Sequence, residues 1–290
     1  MRRLLRAVGS QAIRGAIVGA MLAAVSPSIS AQWPPHAAAG VPKTPDGKTN
    51  LTAPAPRTAD GKPDFSGNWI RGDGQLGPAG GGTLPGPAPS FSGGPPVTTF
   101  RDVAANLKEG LPLQPWAAEL VKARRSENSK DNPDAHCLPM GLMQFHNHGM
   151  PRKMIQTSGL IIIAYEANYG LRYIFMDGRT LPASDAQPWW YGYSIGRWEG
   201  DTLIAETTGF RDGGWLDIIG NPLTDAAKLT ERFRRPNYGT LEIDVTVDDP
   251  KAYTKPWTVR VNQRIMLDTE LMEFICLENQ QFETYLKGQK

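Results

Sequence analysis

Cysteine and histidine are scarce in this chain, at two and four residues of 290. Two cysteines exclude a Cys-rich zinc module and a multiply bridged small scaffold, and leave room for a single disulfide. No Lys/Arg-rich run or basic aromatic stripe occurs, so the electrostatic footprint of a nucleic-acid binder is missing. H-E-x-x-H and the Walker-type phosphate loop are absent, which removes the main support for metalloprotease and nucleotide chemistry. Beyond the first 31 residues no apolar stretch nears the roughly 20 residues of a membrane-spanning helix, so no stable membrane insertion is expected.

What is present begins with a leader. "MRRLLRAVGSQAIR" carries four arginines and no acid, "GAIVGAMLAAV" is a short apolar run, and "SPSISA" ends in small residues. Residues 1–31 therefore read as a secretory signal peptide, and the mature protein is expected to be exported, periplasmic or extracellular. The whole chain has 31 basic against 29 acidic residues; without the four leader arginines the balance is 27 against 29, so its basicity belongs to the leader. In an oxidising compartment Cys137 and Cys276 are expected to form one disulfide, stapling a histidine-rich loop to the last strand candidate.

Residues 32–64, rich in Pro, Ala and Lys, read as an extended, partly disordered arm containing the near-repeat "TPDGKTNLT" and "TADGKPDFS". A flexible Gly/Pro-rich insert occupies 72–98, within a domain expected to span 65–290. "LPLQPWAAELVKARRSEN" is a helix starting near Pro115 and continuing to about Ser126. From Met154 the pattern becomes that of strands. Hairpin turns are expected at Glu199–Asp201, Pro236–Gly239 and around Asp268-Thr269. About nine strands with short connections predict an all-β, mainly antiparallel fold. We expect a lipocalin-like closed or nearly closed β-barrel with one helix and a flexible N-terminal arm, with space inside for one small ligand.

Two resemblances accompany this pattern. "GNW" at residues 67–69, opening the first strand candidate, is similar to the Gly-x-Trp signature of lipocalins. "DGKPDFSGNW", "GRWEGDTLIAETTGF" and "LTERFRRPNYG" resemble motifs of a large family of uncharacterised secreted bacterial proteins. That resemblance implies a shared β-rich exported fold and carries over no catalytic residue.

Candidate chemistry gathers in two stretches. "DAHCLPMGLMQFHNHGM", residues 134–150, holds His136, His146 and His148. On an extended strand His146 and His148 would share a face, which suits either acid–base work near neutral pH or, with His136, a copper or zinc site. The plainer alternative is an ordinary loop whose methionines fill gaps. In "PWWYGYSIGRWEGD", alternation puts Trp189, Tyr191, Tyr193 and Arg197 on one face, expected to line the cavity. Arg172, Glu206, Glu231, Glu166 and Asp217 interrupt apolar surroundings. If buried they must be paired, as a structural network or an anion-orienting site.

The combined expectation is an exported barrel enclosing a small aromatic or amphipathic molecule and acting, without an organic cofactor, as an acid–base enzyme of the lyase, isomerase or hydrolase kind. His146, His148 and Tyr193 are its candidate catalytic residues, and Tyr191, Arg197, Trp189 and Asp217 its candidate substrate contacts. A non-catalytic carrier of a small ligand, or a copper- or zinc-binding protein, is the alternative.

Overall fold

Period-two alternation closes most of the chain on itself. The computed structural model describes residues 37–73, 75–76, 82–83 and 91–276. The expected leader and much of the Gly/Pro-rich insert lie outside the described residues. The strands are β1 (Gly67–Arg71), β2 (Gln75–Leu76), β3 (Gly82–Thr83), β4 (Arg152–Gln156), β5 (Leu160–Tyr165), β6 (Leu171–Phe175), β7 (Tyr193–Glu199), β8 (Thr202–Thr208), β9 (Gly214–Trp215), β10 (Pro222–Leu223), β11 (Lys228–Asn237), β12 (Thr240–Asp248) and β13 (Trp257–Met266). Two helices join them, α1 (Pro115–Ser126) and α2 (Leu142–Asn147).

Nine strands form a closed barrel in the order β1-β13-β12-β11-β8-β7-β6-β5-β4. An odd ring cannot alternate direction all the way round, so a parallel pair is unavoidable. It falls at β6 and β7, where Ile174 faces Ser194 and Phe175 faces Ile195. The mainly antiparallel barrel expected from the sequence forms, with this one parallel pair. The hairpins at Glu199–Asp201 and Pro236–Gly239 form. The one expected around Asp268-Thr269 does not: β13 ends at Met266 and pairs with β1, which leaves no open edge for a further strand.

The interior is packed at both ends. At one end Phe65 stacks on Trp198, with ring centroids 5.5 Å apart, and tilts against Phe233; Trp69 lies beside them in the same core. The other end is filled by α2, all six of whose residues are buried. Eight strands leave an interior that side chains just fill, and a ninth widens it; here a helical turn and a half takes up the extra space. Burying Leu142, Met143 and Phe145 contributes about 1.5–3 kcal/mol each. The expected empty cavity is thus occupied by the chain itself, and the second helix is one the sequence reading missed.

The described part of the N-terminal arm is tied to the barrel by hydrogen bonds and an ion pair. Its near-repeat is a structural repeat. Thr44 and Thr58 each accept a bond from a glycine N–H, Gly47 or Gly61, and each donates from its own N–H to a lysine carbonyl, Lys48 or Lys62. The segment then bonds to the turn between β11 and β12, with Tyr238 N–H donating to Ala53 and Gly239 N–H to Leu51. Arg57 pairs with Asp201 on the β7–β8 turn. A disulfide joins Cys137 to Cys276, as expected, although Cys276 follows the barrel instead of lying in a strand.

Gly141, at the N-terminus of α2, packs closely against β9. A Cβ placed there falls 1.8 Å from the Trp215 carbonyl oxygen. Overpacking of this kind costs about 1–3 kcal/mol, so urea unfolding should find Gly141→Ala less stable by that amount. Gly159→Ala meets no atom within 4 Å and should stay within about 0.5 kcal/mol of the parent.

Candidate functional site

A carboxylate placed among apolar side chains needs partners or it will not ionise. Alternation along β11 turns Leu229, Glu231 and Phe233 into the barrel, each fully buried. From β6, Arg172 reaches Glu231 with two parallel bonds, Nη1 to Oε1 at 3.0 Å and Nη2 to Oε2. Arg172 also donates to Ser194 Oγ on β7 and Thr207 Oγ1 on β8, at 3.1 and 3.0 Å. From α2, His146 Nε2 lies 2.8 Å from Glu231 Oε1.

Burial alone would push the Glu231 carboxyl up; Arg172 and His146 outweigh it and hold it at about 2. Glu231 is therefore an anion, and the imidazole nitrogen facing it must carry the proton. His146 Nε2–H donates to Glu231, which leaves Nδ1 as a bare lone pair. That atom is buried without a hydrogen-bond partner. Burial also holds His146 below the usual histidine range, so it stays neutral.

Tyr165, on β5, faces the same compartment. Its ring stacks on Phe145 at 4.4 Å and meets the His146 ring edge-on at 6.2 Å. Its hydroxyl is buried with no acceptor for its own proton, and burial pushes its pKa well up against the opposing pull of Arg172. Arg152, on β4, is buried beside it and donates to the His146, His148 and Met150 carbonyls at 2.5, 2.7 and 3.0 Å. These bonds fasten the end of α2 to the wall. An oriented imidazole base, a hydroxyl donor and a guanidinium are thus gathered in a dry interior, the components of acid–base chemistry.

The histidines do not meet as the metal alternative requires. Residues 142–147 are helical, so His146 and His148 share no strand face. His146 turns into the barrel. His148 turns toward Phe100, with rings 4.8 Å apart, and its Nδ1 accepts the Met150 N–H. His136 is exposed, with Nε2 2.7 Å from the Lys130 carbonyl. Among the described residues no three His, Cys, Asp or Glu side chains converge as a metal site.

The aromatic face of β7 is inverted relative to expectation. Ser194, Gly196 and Trp198 point inward, because Trp198 packs on Phe65 and Ser194 serves Arg172. Tyr193 and Arg197 therefore lie outside. Arg179 donates to the Tyr193 hydroxyl at 2.9 Å, and Arg197 pairs with Glu206 and Glu199. Trp189 is partly exposed and packs on Tyr193. Tyr191 precedes the strand, half-buried with its ring edge-on to Phe145 at 5.1 Å, and burial raises its pKa to about 12.

Asp217 is buried as a loop organiser. It accepts from the backbone N–H groups of Val103, Gly220 and Asn221 and from the Asn221 side chain. The letters G-x-S-x-G occur at Gly192–Gly196, but they run along a strand instead of a strand-to-helix elbow, and Ser194 is buried. Surface clefts of about 300–440 Å³ lie elsewhere, and His146, Tyr165 and Glu231 line none of the three. Of the residues now brought together, His146, Arg172 and Glu231 were legible in the sequence. Tyr165 and Arg152 were not, since each ends or begins a strand without breaking its pattern.

Two tests follow. Glu231→Gln keeps an acceptor for His146 but strands the Arg172 cation, and should cost about 3–5 kcal/mol. Adding Arg172→Met should recover most of that loss in a double-mutant cycle. The second test is acid. Burial holds His146 below its usual range and His148 at about 3, while in the unfolded chain each binds a proton near pH 6.5. The unfolded state then holds more protons, so stability should fall as pH drops below about 6.5, by up to about 1.4 kcal/mol per pH unit for each imidazole. Glu231 adds to the loss between about 4.5 and 2. Urea titrations from pH 7 to 4 measure the slope, and His148→Gln should make it shallower.

Comparison with protein-family models, with curated proteins and with solved structures finds no match for this chain.

Proposed function

We propose that this is an exported, lipocalin-like barrel that takes one small aromatic or amphipathic molecule into the α2 end of its interior and moves a proton on it without an organic cofactor. The reaction is of the lyase, isomerase or hydrolase kind. One observation carries the reading: the Glu231 carboxylate fixes His146 in the tautomer whose unpartnered Nδ1 shares a buried compartment with a Tyr165 hydroxyl that has no acceptor for its proton. Unpaired polar atoms in a sealed interior are costly, and functional sites are where such a cost is retained.

In this scheme His146 Nδ1 removes a proton from the bound molecule and Glu231 stabilises the imidazolium that forms. Tyr165 donates its hydroxyl hydrogen bond to the oxygen on which negative charge develops. Phe145 and Tyr165 supply the aromatic wall. Access requires α2 to shift, because its buried residues fill that end of the barrel. The Cys137–Cys276 disulfide supports export.

The test needs no named substrate. Small molecules retained through native purification are identified by mass spectrometry and incubated, together with a panel of aromatic acids, ketones and esters, with the protein in D2O. The expected result is deuterium incorporation or conversion by the parent protein and its loss in His146→Gln. A retained molecule that neither exchanges nor converts would assign the barrel to a carrier. No retention, exchange or conversion would remove the reading. Tyr165→Phe separates function from packing: it removes a buried hydroxyl that has no acceptor, so stability should stay within about 1 kcal/mol of the parent while exchange is abolished.

A further inference from the structure

The barrel interior carries more cation than anion. Four charged side chains face inward from its strands: Arg152, Arg172 and Arg235 against Glu231 alone. Glu231 is consumed by Arg172 and His146. Arg235, at the Phe65 end, bonds among the described residues to the Asp64 and Tyr238 carbonyls and lies over the Trp69 and Tyr238 rings. Arg152 is 1 % exposed, makes no ion pair among the described residues, and keeps Nε without a partner. Its three bonds to carbonyls solvate the guanidinium in part and leave its charge uncancelled. A buried cation with no counter-charge costs several kcal/mol, and a bound anion removes that cost.

The unpartnered atoms gather around the same place. Tyr165 is the direct cross-strand partner of Arg152. Arg172 is the cross-strand partner of Ile163, two residues along the same strand from Tyr165. Three inward side chains on adjacent strands therefore stand in the order guanidinium, hydroxyl, guanidinium. The central hydroxyl has no acceptor. Gln263 Nε2 and Arg152 Nη1 both donate to the His146 carbonyl, so the base belongs to the same cluster.

We infer that the guest of this barrel is an organic monoanion whose carboxylate lies at Tyr165, between Arg152 and Arg172, with the remainder of the molecule directed toward His146. This rests on the proposed use of the interior as a small-molecule site, and names the class of molecule. The carboxylate accepts from the Tyr165 hydroxyl and from Arg152 Nε, and it supplies the missing counter-charge. A neutral guest satisfies the hydroxyl and leaves the Arg152 charge uncancelled.

Formate, the smallest carboxylate, and formamide, its neutral counterpart, are the probes. Melting temperature is followed against concentration of each at constant ionic strength, so that a site shows as saturation and a bulk solvent effect as a straight line. Formate should raise the melting temperature saturably and formamide should not. Tyr165→Phe should weaken the formate midpoint at least tenfold. Arg152→Gln should abolish the effect; since Arg152 also fastens α2, Tyr165→Phe is the variant that decides if Arg152→Gln does not fold. An equal response to formamide, an unchanged midpoint in Tyr165→Phe, or no saturation in the parent, as expected for a site holding only water, overturns the inference. Saturation by formate without deuterium exchange on any compound removes the enzyme reading and leaves the anion site. Exchange on neutral compounds with no formate effect does the reverse.

Discussion

The Glu231 carboxylate, dry and doubly paired, is the constraint on which the rest of the interior depends. Ionised inside a barrel, it requires a guanidinium at bonding distance, and Arg172 meets it from three strands away round the ring. Arg172 in turn needs acceptors for its other protons and finds them on Ser194 and Thr207. The second lone-pair direction of Glu231 fixes His146, and through it the depth to which α2 enters. One anion thereby sets the relation among β6, β7, β8, β11 and the plug. Such an arrangement adds little net stability over a well-packed apolar core. It makes alternative packings expensive, because each of them strands a charge.

Closure of the barrel and filling of the barrel are coupled. Nine strands require one parallel pair, and a parallel pair requires a long connection; residues 176–192 supply it, carrying Trp189 and Tyr191. The ninth strand also widens the ring beyond what inward side chains fill. Residues 141–150, on the connection from α1 to β4, take up that space, and Arg152 holds them there through three carbonyl bonds. The disulfide at Cys137 ties the approach to the plug to the chain beyond β13. A plug so seated brings a histidine to a place where a strand would have brought an aliphatic residue.

Much of the barrel was readable in advance because strand burial writes itself as alternation. Leu241, Ile243, Val245 and Val247 announce both a strand and its inner face, and Glu231 between Leu229 and Phe233 announces a charge that must be paired. The inner face of β7 was not readable. Tyr193, Ile195 and Arg197 look as suitable for a cavity lining as Ser194, Gly196 and Trp198 look small or neutral. The choice between the two faces belongs to neighbours: Phe65, from the segment before β1, claims Trp198, and Arg172 claims Ser194. The histidine loop misled for a related reason. Two residues apart means one face only on a strand, and packing into the barrel mouth made that stretch helical.

By itself the sequence determined the class of fold, the positions of most strands and turns, the helix at Pro115–Ser126, the pairing of two cysteines, and the presence of charges that a core could not leave single. These are local or compositional properties: a period, a turn residue, an even count, a polar residue in an apolar run. Only the tertiary structure decided which strands meet in parallel, what fills the barrel, and that His146, Glu231, Arg172, Tyr165 and Arg152 share one compartment. The reason is distance along the chain. His146 and Glu231 stand 85 residues apart, and their meeting depends on the ring closing at β1 and β4, which no single segment encodes.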